Sequence, residues 1–398
     1  MQGAPWGGSE ELWAAMAQRA LQAGLRVSAC LLRPDPDHAK WNALKNAGAN
    51  LFCQASEEGY LRARRLARCA ELLNYRLGNY VRESISPLRA FFSTQPDVVL
   101  VSEGGSFPPP DVVDAVQKYH ASKPYVILSQ ANSGYIPENT YRKRAAAFYR
   151  GARSALFVSA DNLRATERQL LERLLNARVV RNPVNLDCID PIDWPKEEMV
   201  SLASVARLEV AAKGQDILLE VLNDGRWRHR DWRLSIFGTG RDRAYLEDLS
   251  AYYGLTRRVS FFGVADDIRA VWQRHQALVL PSRFEGTPLV LVEAMLCGRP
   301  IIGTAIAGIP EWVRDGRNGF LADAPAVKCF GASLESAWQQ RTKWRMMGNN
   351  ARHDALLLYD PTPGDTLLSI VTETAHAYQG GSAIDPVDRA SISITKPI

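Results

Sequence analysis

Long apolar runs are missing from this chain of 398 residues. No stretch approaches the ~20 residues that a membrane-spanning helix needs, and no signal peptide opens it. Cysteine is scarce, with six residues at 30, 53, 69, 188, 297 and 329 and no Cys-x-x-Cys pair. This pattern argues against a disulfide framework or a zinc site and fits reduced thiols, so a cytoplasmic location is expected. The six histidines show no H-x-x-x-H or similar ligand spacing. No metal site and no cofactor are therefore expected. Short-period repeats and coiled-coil seams are absent as well, and no nucleic-acid partner is expected.

What is present is ordinary soluble composition, 46% hydrophobic and 23% charged, in a chain long enough for two domains. The net charge of +5 hides an asymmetry. Residues 1–185 carry 24 Lys/Arg against 16 Asp/Glu, and residues 186–398 carry 24 against 27. A solvated basic surface accounts for this, and so does an anionic partner such as a phosphorylated lipid carrier or a membrane face. Arg62, Arg64, Arg65 and Arg68, with Arg142, Lys143 and Arg144, are the local concentrations.

Apolar strand-like segments alternate with helix-like ones through both halves, which predicts parallel sheets covered on both faces. The reading is an α/β fold with an N-terminal domain over 1–185, a linker over 186–198 and a C-terminal domain over 199–355. A helical segment over 356–378 is expected to pack back on the first domain, and a polar, flexible tail over 379–398 follows. Only six residues precede Gly7-Gly8-Ser9-Glu10, and they do not read as a buried strand.

The richest stretch is Pro281-Ser282-Arg283-Phe284-Glu285-Gly286-Thr287-Pro288-Leu289-Val290-Leu291-Val292-Glu293. It follows an apolar strand, Ala277 to Leu280, and leads into a helix. Free N–H groups at a helix N-terminus suit an anionic phosphate. Glu285 and Glu293 on either side suit hydroxyls, one on a sugar and one on a ribose. Two glutamates eight apart are weak evidence alone, but the strand, Pro-Ser, Glu-Gly, apolar helix and Cys297-Gly298-Arg299-Pro300 setting is specific.

In that setting the chain resembles the retaining glycosyltransferases of family four, which have the GT-B fold of two doubly wound, Rossmann-like domains facing a cleft. The resemblance runs to about residue 378 and is strongest from Ser204 to Phe320. It implies transfer of a sugar from a nucleotide-diphosphate sugar to an acceptor hydroxyl with retention, in polysaccharide or glycolipid biosynthesis. The acceptor would be a saccharide or lipid-linked, with peripheral contact at an anionic membrane. By this resemblance Arg207 and Lys213 hold the diphosphate without a divalent ion, together with the amides near Leu289 and Val290. Glu285 binds the transferred sugar and Glu293 the ribose. Gly7, Gly8, Gly238, Val264, Gly286, Thr287 and Pro288 complete the donor set, and Glu103, Gln130 and Asn132 are acceptor or sugar candidates.

In the family a strand precedes the glycine-rich loop that Gly7-Gly8-Ser9-Glu10 resembles, so the resemblance implies that the first strand of the N-terminal domain is missing here, and some compensation for the unpaired backbone is expected. Two further departures stand out. Gln130 occupies a position where many members carry histidine, and it can hydrogen-bond a hydroxyl but cannot act as an acid or base. Ala307-Gly308-Ile309-Pro310-Glu311 replaces the usual Gly-Gly-x-Pro-Glu. The alternatives are a nucleotide-sugar epimerase on the same fold and a binding protein without transferase activity.

Overall fold

Strands buried on both faces read as unbroken apolar runs, and β3 (Val98–Glu103) and β5 (Ser154–Phe157) are buried along their whole length. The computed structural model describes residues 6–31, 38–53, 87–132, 134–196, 199–379 and 391–396. They form two units, Met1–Pro183 with Pro361–Ile398 and Val184–Asp360. Arg62, Arg64, Arg65 and Arg68 lie outside the described residues.

In unit 1 the chain runs α1 (Gly8–Gln22), β1 (Arg26–Leu31), α2 (Ala39–Asn46), β2 (Asn50–Cys53), α3 (Pro87–Phe92) and β3. It continues as α4 (Pro110–Tyr119), β4 (Tyr125–Ser129), α5 (Asn139–Gly151), β5, α6 (Ala160–Leu170) and β6 (Ala177–Val179). Alternation along β3 and β4 builds two cores. Val98, Leu100, Val126 and Leu128 pack with Trp13 and Met16 of α1, while Val99, Val101 and Ile127 pack with Phe148 and Tyr149 of α5. Each such side chain contributes roughly 1.5–3 kcal/mol by leaving water.

Unit 2 holds β7 (Val200–Val205), α7 (Gln215–Leu222), β8 (Trp232–Phe237), α8 (Arg243–Tyr252), β9 (Val259–Phe261), α9 (Ile268–Arg274) and β10 (Ala277–Leu280). Then come α10 (Leu289–Leu296), β11 (Ile301–Thr304), β12 (Gly319–Ala322), α11 (Val327–Gln339) and α12 (Trp344–Leu358). The sheet is parallel with order β12-β11-β10-β7-β8-β9. Strand order reverses where β7 meets β10, with Leu202 opposite Ala277 and Ala203 opposite Leu278. Ligands bind open α/β sheets at the carboxyl end of such a reversal.

Residues 186–196 form no helix or strand, yet arginines of unit 2 fasten them. Arg269 donates to the Cys188 and Asp190 carbonyls (2.8 and 2.9 Å), Arg352 to Ile189 (2.6 Å) and Arg299 to Asp193 (2.7 Å). Arg299 is almost wholly buried, and burial lowers its pKa to about 10. This stretch, which composition reads as a linker, is part of unit 2.

The chain then returns to unit 1. In α13 (Pro363–Gln379), Leu367, Val371 and Ala375 join the core that contains Trp13. The polar composition after residue 379 suggests a flexible tail, and the structure corrects this for Ser391–Lys396. That segment is β13, parallel to β1 and β3 and paired with both. Ile392 stands opposite Val27 and Val98, and Ile394 opposite Ala29 and Leu100. The sheet order is β2-β1-β13-β3-β4-β5-β6, so the central position that the resemblance assigns to an opening strand is filled by β13, from late in the sequence. The signal was there in Ile392, Ile394 and Thr395, β-branched residues alternating with serine.

Candidate active site

In unit 2 two loops meet above the carboxyl ends of β7 and β10. After β7, Val210–Lys213 makes one helical turn whose first N–H donates to Asp242 Oδ2 at 2.8 Å. Gly214 ends the turn in the left-handed region (φ +64°), where a Cβ would collide with the Pro281 carbonyl. Arg283 and Phe284 N–H groups both donate to the Ala212 carbonyl, at 2.8 and 3.0 Å. Arg283 also forks onto Asp216 at 2.6 and 2.8 Å. Bidentate pairs fix geometry as well as adding attraction, and this one pins the post-β10 loop to the post-β7 loop.

That lacing brings Lys213 to Glu285. Lys213 Nζ donates to Glu285 Oε2 at 2.7 Å, and Ser282 Oγ donates to Oε1 at 2.8 Å. Both carboxylate oxygens are engaged, and both Ser282 and Glu285 are buried. Arg207 leaves the same strand end but stays half exposed, pairing with Glu209 at 3.3 Å. Its backbone carbonyl accepts from Gln215 Nε2 at 2.8 Å. Lys213 and Glu285 are therefore joined directly, and Arg207 stands apart from them with its guanidinium turned to Glu209.

Gly286, Thr287 and Pro288 are buried and lead into α10. Pro288 lacks an N–H, and its carbonyl takes the Leu291 N–H at 3.2 Å. The Leu289 and Val290 amides open the helix, where no intrahelical acceptor exists for them. Glu293 lies on α10, buried, with Oε1 accepting from Asn185 N–H at 2.8 Å and Asn185 Nδ2 at 3.2 Å. Sequence reasoning missed Asn185, because nothing in Asn182-Pro183-Val184-Asn185 marks a partner 108 residues away.

Gly238 and Gly240 serve the loops themselves. A Cβ at Gly238 (φ +127°) would strike the Ala206 carbonyl, and one at Gly240 the Leu208 carbonyl. These glycines let the β8 loop lie against the β7 loop, with Leu208 N–H donating to Thr239 O at 2.8 Å. Beyond β9, Val264 is exposed, and Phe262 stacks on Phe237 with centroids 4.9 Å apart. His275 is a buried residue whose Nδ1 lies 2.7 Å from the Val271 carbonyl.

The remaining candidates belong to unit 1. Gly7 N-caps α1: its N–H donates to Glu10 Oε2 at 2.8 Å, and the Ser9 hydroxyl reaches the same oxygen at 2.9 Å. Gly8 begins the helix. Glu103 ends β3, fully buried, with Ser129 opposite it on β4. Burial, and then the charge of Asp111, hold its carboxyl well above the usual range. Among the described residues Glu103 Oε1, Ser129 Oγ and the Tyr149 hydroxyl find no hydrogen bond of good geometry. Burial, and then the charge of Glu103, hold the Tyr149 hydroxyl well above the usual phenol range, against which the nearby Ser129 hydroxyl acts only in part. Both side-chain atoms of Gln130 are likewise buried and unpartnered. Asn132 is committed elsewhere. Its amide donates to Thr166 Oγ1 (3.1 Å) and Gln169 Oε1 (2.7 Å) and accepts from Gly134 N–H (2.9 Å), which ties the loop to α6.

Comparison with known proteins identifies the region that carries these contacts. Residues 200–340 match the family described as "Glycosyl transferases group 1". Unit 2 belongs to the group 1 glycosyltransferases. An uncharacterized glycosyltransferase of Haemophilus influenzae is 31% identical over 163 residues, 40% of this chain and 46% of that protein. A D-inositol 3-phosphate glycosyltransferase of Gordonia bronchialis is 30% identical over 221 residues, 50% of this chain and 48% of that protein. The matches thus span about half the length of these relatives. Among solved structures, HepE of Anabaena in complex with UDP-glucose aligns at a TM-score of 0.70 with 18% identity, over 95% of this chain and 98% of that one. The chain has the GT-B fold, with two Rossmann-like domains.

Proposed function

We propose that this group 1 glycosyltransferase moves a sugar from a nucleotide-diphosphate donor to an acceptor hydroxyl with retention of anomeric configuration. The observation that carries the reading is the Lys213–Glu285–Ser282 constellation beside the amides of Leu289 and Val290, at the strand-order reversal of unit 2. An ammonium and free helix amides suit a diphosphate, because both put positive charge where negative charge grows as the leaving group departs. Lys213 neutralises Glu285 in the free protein, and a bound diphosphate gives it a second anionic partner. Arg207, half exposed beside it, can swing from Glu209 to the same phosphates. Glu285 then accepts hydroxyls of the transferred sugar and Glu293 those of the ribose. The departing phosphate oxygen takes the acceptor proton on the face it leaves, so the reaction asks for neither a protein nucleophile nor a divalent ion. A saccharide or lipid-linked acceptor fits this chemistry, as does a role in polysaccharide or glycolipid assembly. HepE was crystallised with UDP-glucose, which supports a nucleotide sugar as the donor class.

Two variants test the assignment together. Glu293→Ala should weaken binding of the free nucleotide diphosphate by roughly 1.5–3 kcal/mol, the contribution of a hydrogen bond to a charged acceptor. Glu285→Ala should leave that affinity nearly unchanged and abolish sugar transfer. Calorimetry with a panel of nucleotide diphosphates, followed by NMR of the product anomer and assays with a chelator present, reads all three elements. Unchanged nucleotide affinity in Glu293→Ala removes that residue from the site, and an inverted anomer overturns retention.

A further inference from the structure

Unit 2 gathers positive charge at the end of its sheet that the candidate active site does not use. Lys213 and Glu285 sit at the carboxyl ends of β7 and β10. The turn over 224–231 precedes β8, Arg257 and Arg258 precede β9, and residues 340–343 follow α11, which runs back from the carboxyl end of β12. All three segments therefore lie at the amino ends of the strands, about 20 Å away along the six residues of β8. Residues 224–233, 257–258 and 335–343 carry eight Lys/Arg against three Asp/Glu, whereas the rest of Val184–Asp360 carries 14 against 20. A unit that is otherwise acidic has concentrated its cations in one place, where they repel one another.

Hydrogen bonds and ring contacts hold the segments together. Arg258 donates to the carbonyls of Trp227, Arg228 and Arg230 at 3.0, 3.0 and 2.6 Å. The Arg230 guanidinium lies 4.6 Å from the centre of the Trp227 ring and 5.1 Å from that of Trp338. It also forks onto both oxygens of Glu335, at 2.7 and 2.8 Å. Arg341 lies over the Trp338 ring as well, at 4.8 Å, and Arg226 is matched by Asp224 at 3.0 Å. Arg228, Arg233, Arg257, Arg341 and Lys343 are exposed, and among the described residues none of them has an ion pair. Packing accounts for Arg230 and Arg258. It does not account for these five.

We propose that this surface docks an acidic polypeptide segment of a partner protein, whose side-chain carboxylates reach the five unpaired cations. Glu335 shows the form of the contact, a carboxylate taken bidentate by an arginine. Arginine and lysine offer donors and no acceptors. That suits a chain of carboxylates and peptide carbonyls better than a chain of hydroxyls, which need acceptors too. Single-stranded nucleic acid asks for free aromatic rings on which bases stack. Here Trp227 and Trp232 are buried, and Arg230 and Arg341 occupy Trp338. The inference does not rest on the transferase assignment, because the surface lies at the other end of the strands and binding is read without turnover.

The test uses the full chain and fluorescence anisotropy with a labelled oligoglutamate peptide. The peptide should bind at low salt and be released as salt rises, since attraction between exposed charges is screened. The same peptide built of glutamine should not bind. Arg228→Gln with Arg257→Gln should lower the affinity by about fivefold. Neither side chain has an ion pair to lose, so the thermal midpoint should stay where it is and the loss cannot be assigned to misfolding. Arg314→Gln with Lys328→Gln removes the same charge from exposed positions elsewhere on unit 2 and should leave the affinity nearly unchanged. Absence of binding by the glutamate peptide at low salt overturns the proposal. Equal losses in the two double variants also overturn it, because the attraction would then belong to net charge alone. So does tighter binding of polygalacturonate or of an oligothymidylate of matched charge, which would assign the surface to an acidic saccharide or to nucleic acid.

Discussion

Ala307 adopts a left-handed backbone (φ +46°) beside Gly308, whose N–H donates to the Gly286 carbonyl at 2.8 Å. The family pattern places glycine at position 307, and the structure gives the reason, because a Cβ is costly in that conformation. Ala307→Gly should therefore raise stability, by up to about 1 kcal/mol once the added freedom of the unfolded chain is subtracted. Urea unfolding checks it, and a lower midpoint would mean that the strain is offset by packing. Glu103 makes a second argument at this scale. Its folded pKa is raised, so the native state keeps a proton that the unfolded chain gives up above its ordinary value near 4.5. The stabilising contribution is complete below that value and is lost as pH rises toward the folded pKa, with a slope of at most about 1.4 kcal/mol per pH unit. Asp111 is raised by burial too and drifts the same way. Glu103→Gln removes the first of these losses. Its stability should match that of the parent near pH 4 and exceed it at neutral pH. Parallel curves from pH 4 to 8 would show that Glu103 stays ionised in the native state.

Among the elements, β13 is the one that sequence pattern misjudged, and the reason is physical. A strand of six residues at the end of a polar stretch offers too little apolar surface to announce itself, and only the slot between β1 and β3 gives it a place. Such tertiary pairing overrides local composition. By contrast β10, the loop through Glu285 and α10 were legible, since a buried strand, a Pro-Ser stop and an apolar helix leave few alternatives. The Lys213–Glu285 contact also follows from topology, because β7 and β10 are neighbours. Asn132 was the harder case: the resemblance makes it an acceptor or sugar candidate, and its double amide contact with Gln169 depends on how α6 lies. The strand itself can be tested. Proline at position 394 lacks the N–H that a central strand needs for its ladder, a loss of about 3 kcal/mol or more. Ile394→Pro should destabilise unit 1 by that order in denaturant melts. An unchanged melt would show that Ser391–Lys396 does not hold the sheet together in solution.

At the scale of the whole molecule, the donor-binding candidates other than Gly7 and Gly8 fall in unit 2 and the acceptor candidates in unit 1, and the two units have separate cores. Arg207, Lys213, Glu285 and Glu293 all lie within Val184–Asp360, and Glu103 and Gln130 lie within Met1–Pro183. A nucleotide diphosphate held by unit 2 alone should therefore stabilise that unit first. Ligand at about a hundred times its dissociation constant stabilises the state that binds it by about 2.7 kcal/mol. The tryptophans allow the two units to be followed. Trp6, Trp13 and Trp41 report on unit 1, and Trp194, Trp227, Trp232, Trp272, Trp312, Trp338 and Trp344 on unit 2. A variant with Trp6, Trp13 and Trp41 changed to Phe leaves fluorescence that follows unit 2 only, and hydrogen exchange of β3 and β4 amides follows unit 1. Added nucleotide diphosphate should move the fluorescence transition to higher denaturant and slow exchange in β7 and β10, while amides of β3 and β4 keep their rates. Equal protection of both sheets would mean that the nucleotide draws on unit 1 as well, and Gly7 and Gly8 at the start of α1 would then be the first residues to substitute. Protection confined to β3 and β4 would contradict the placement of the donor site in unit 2.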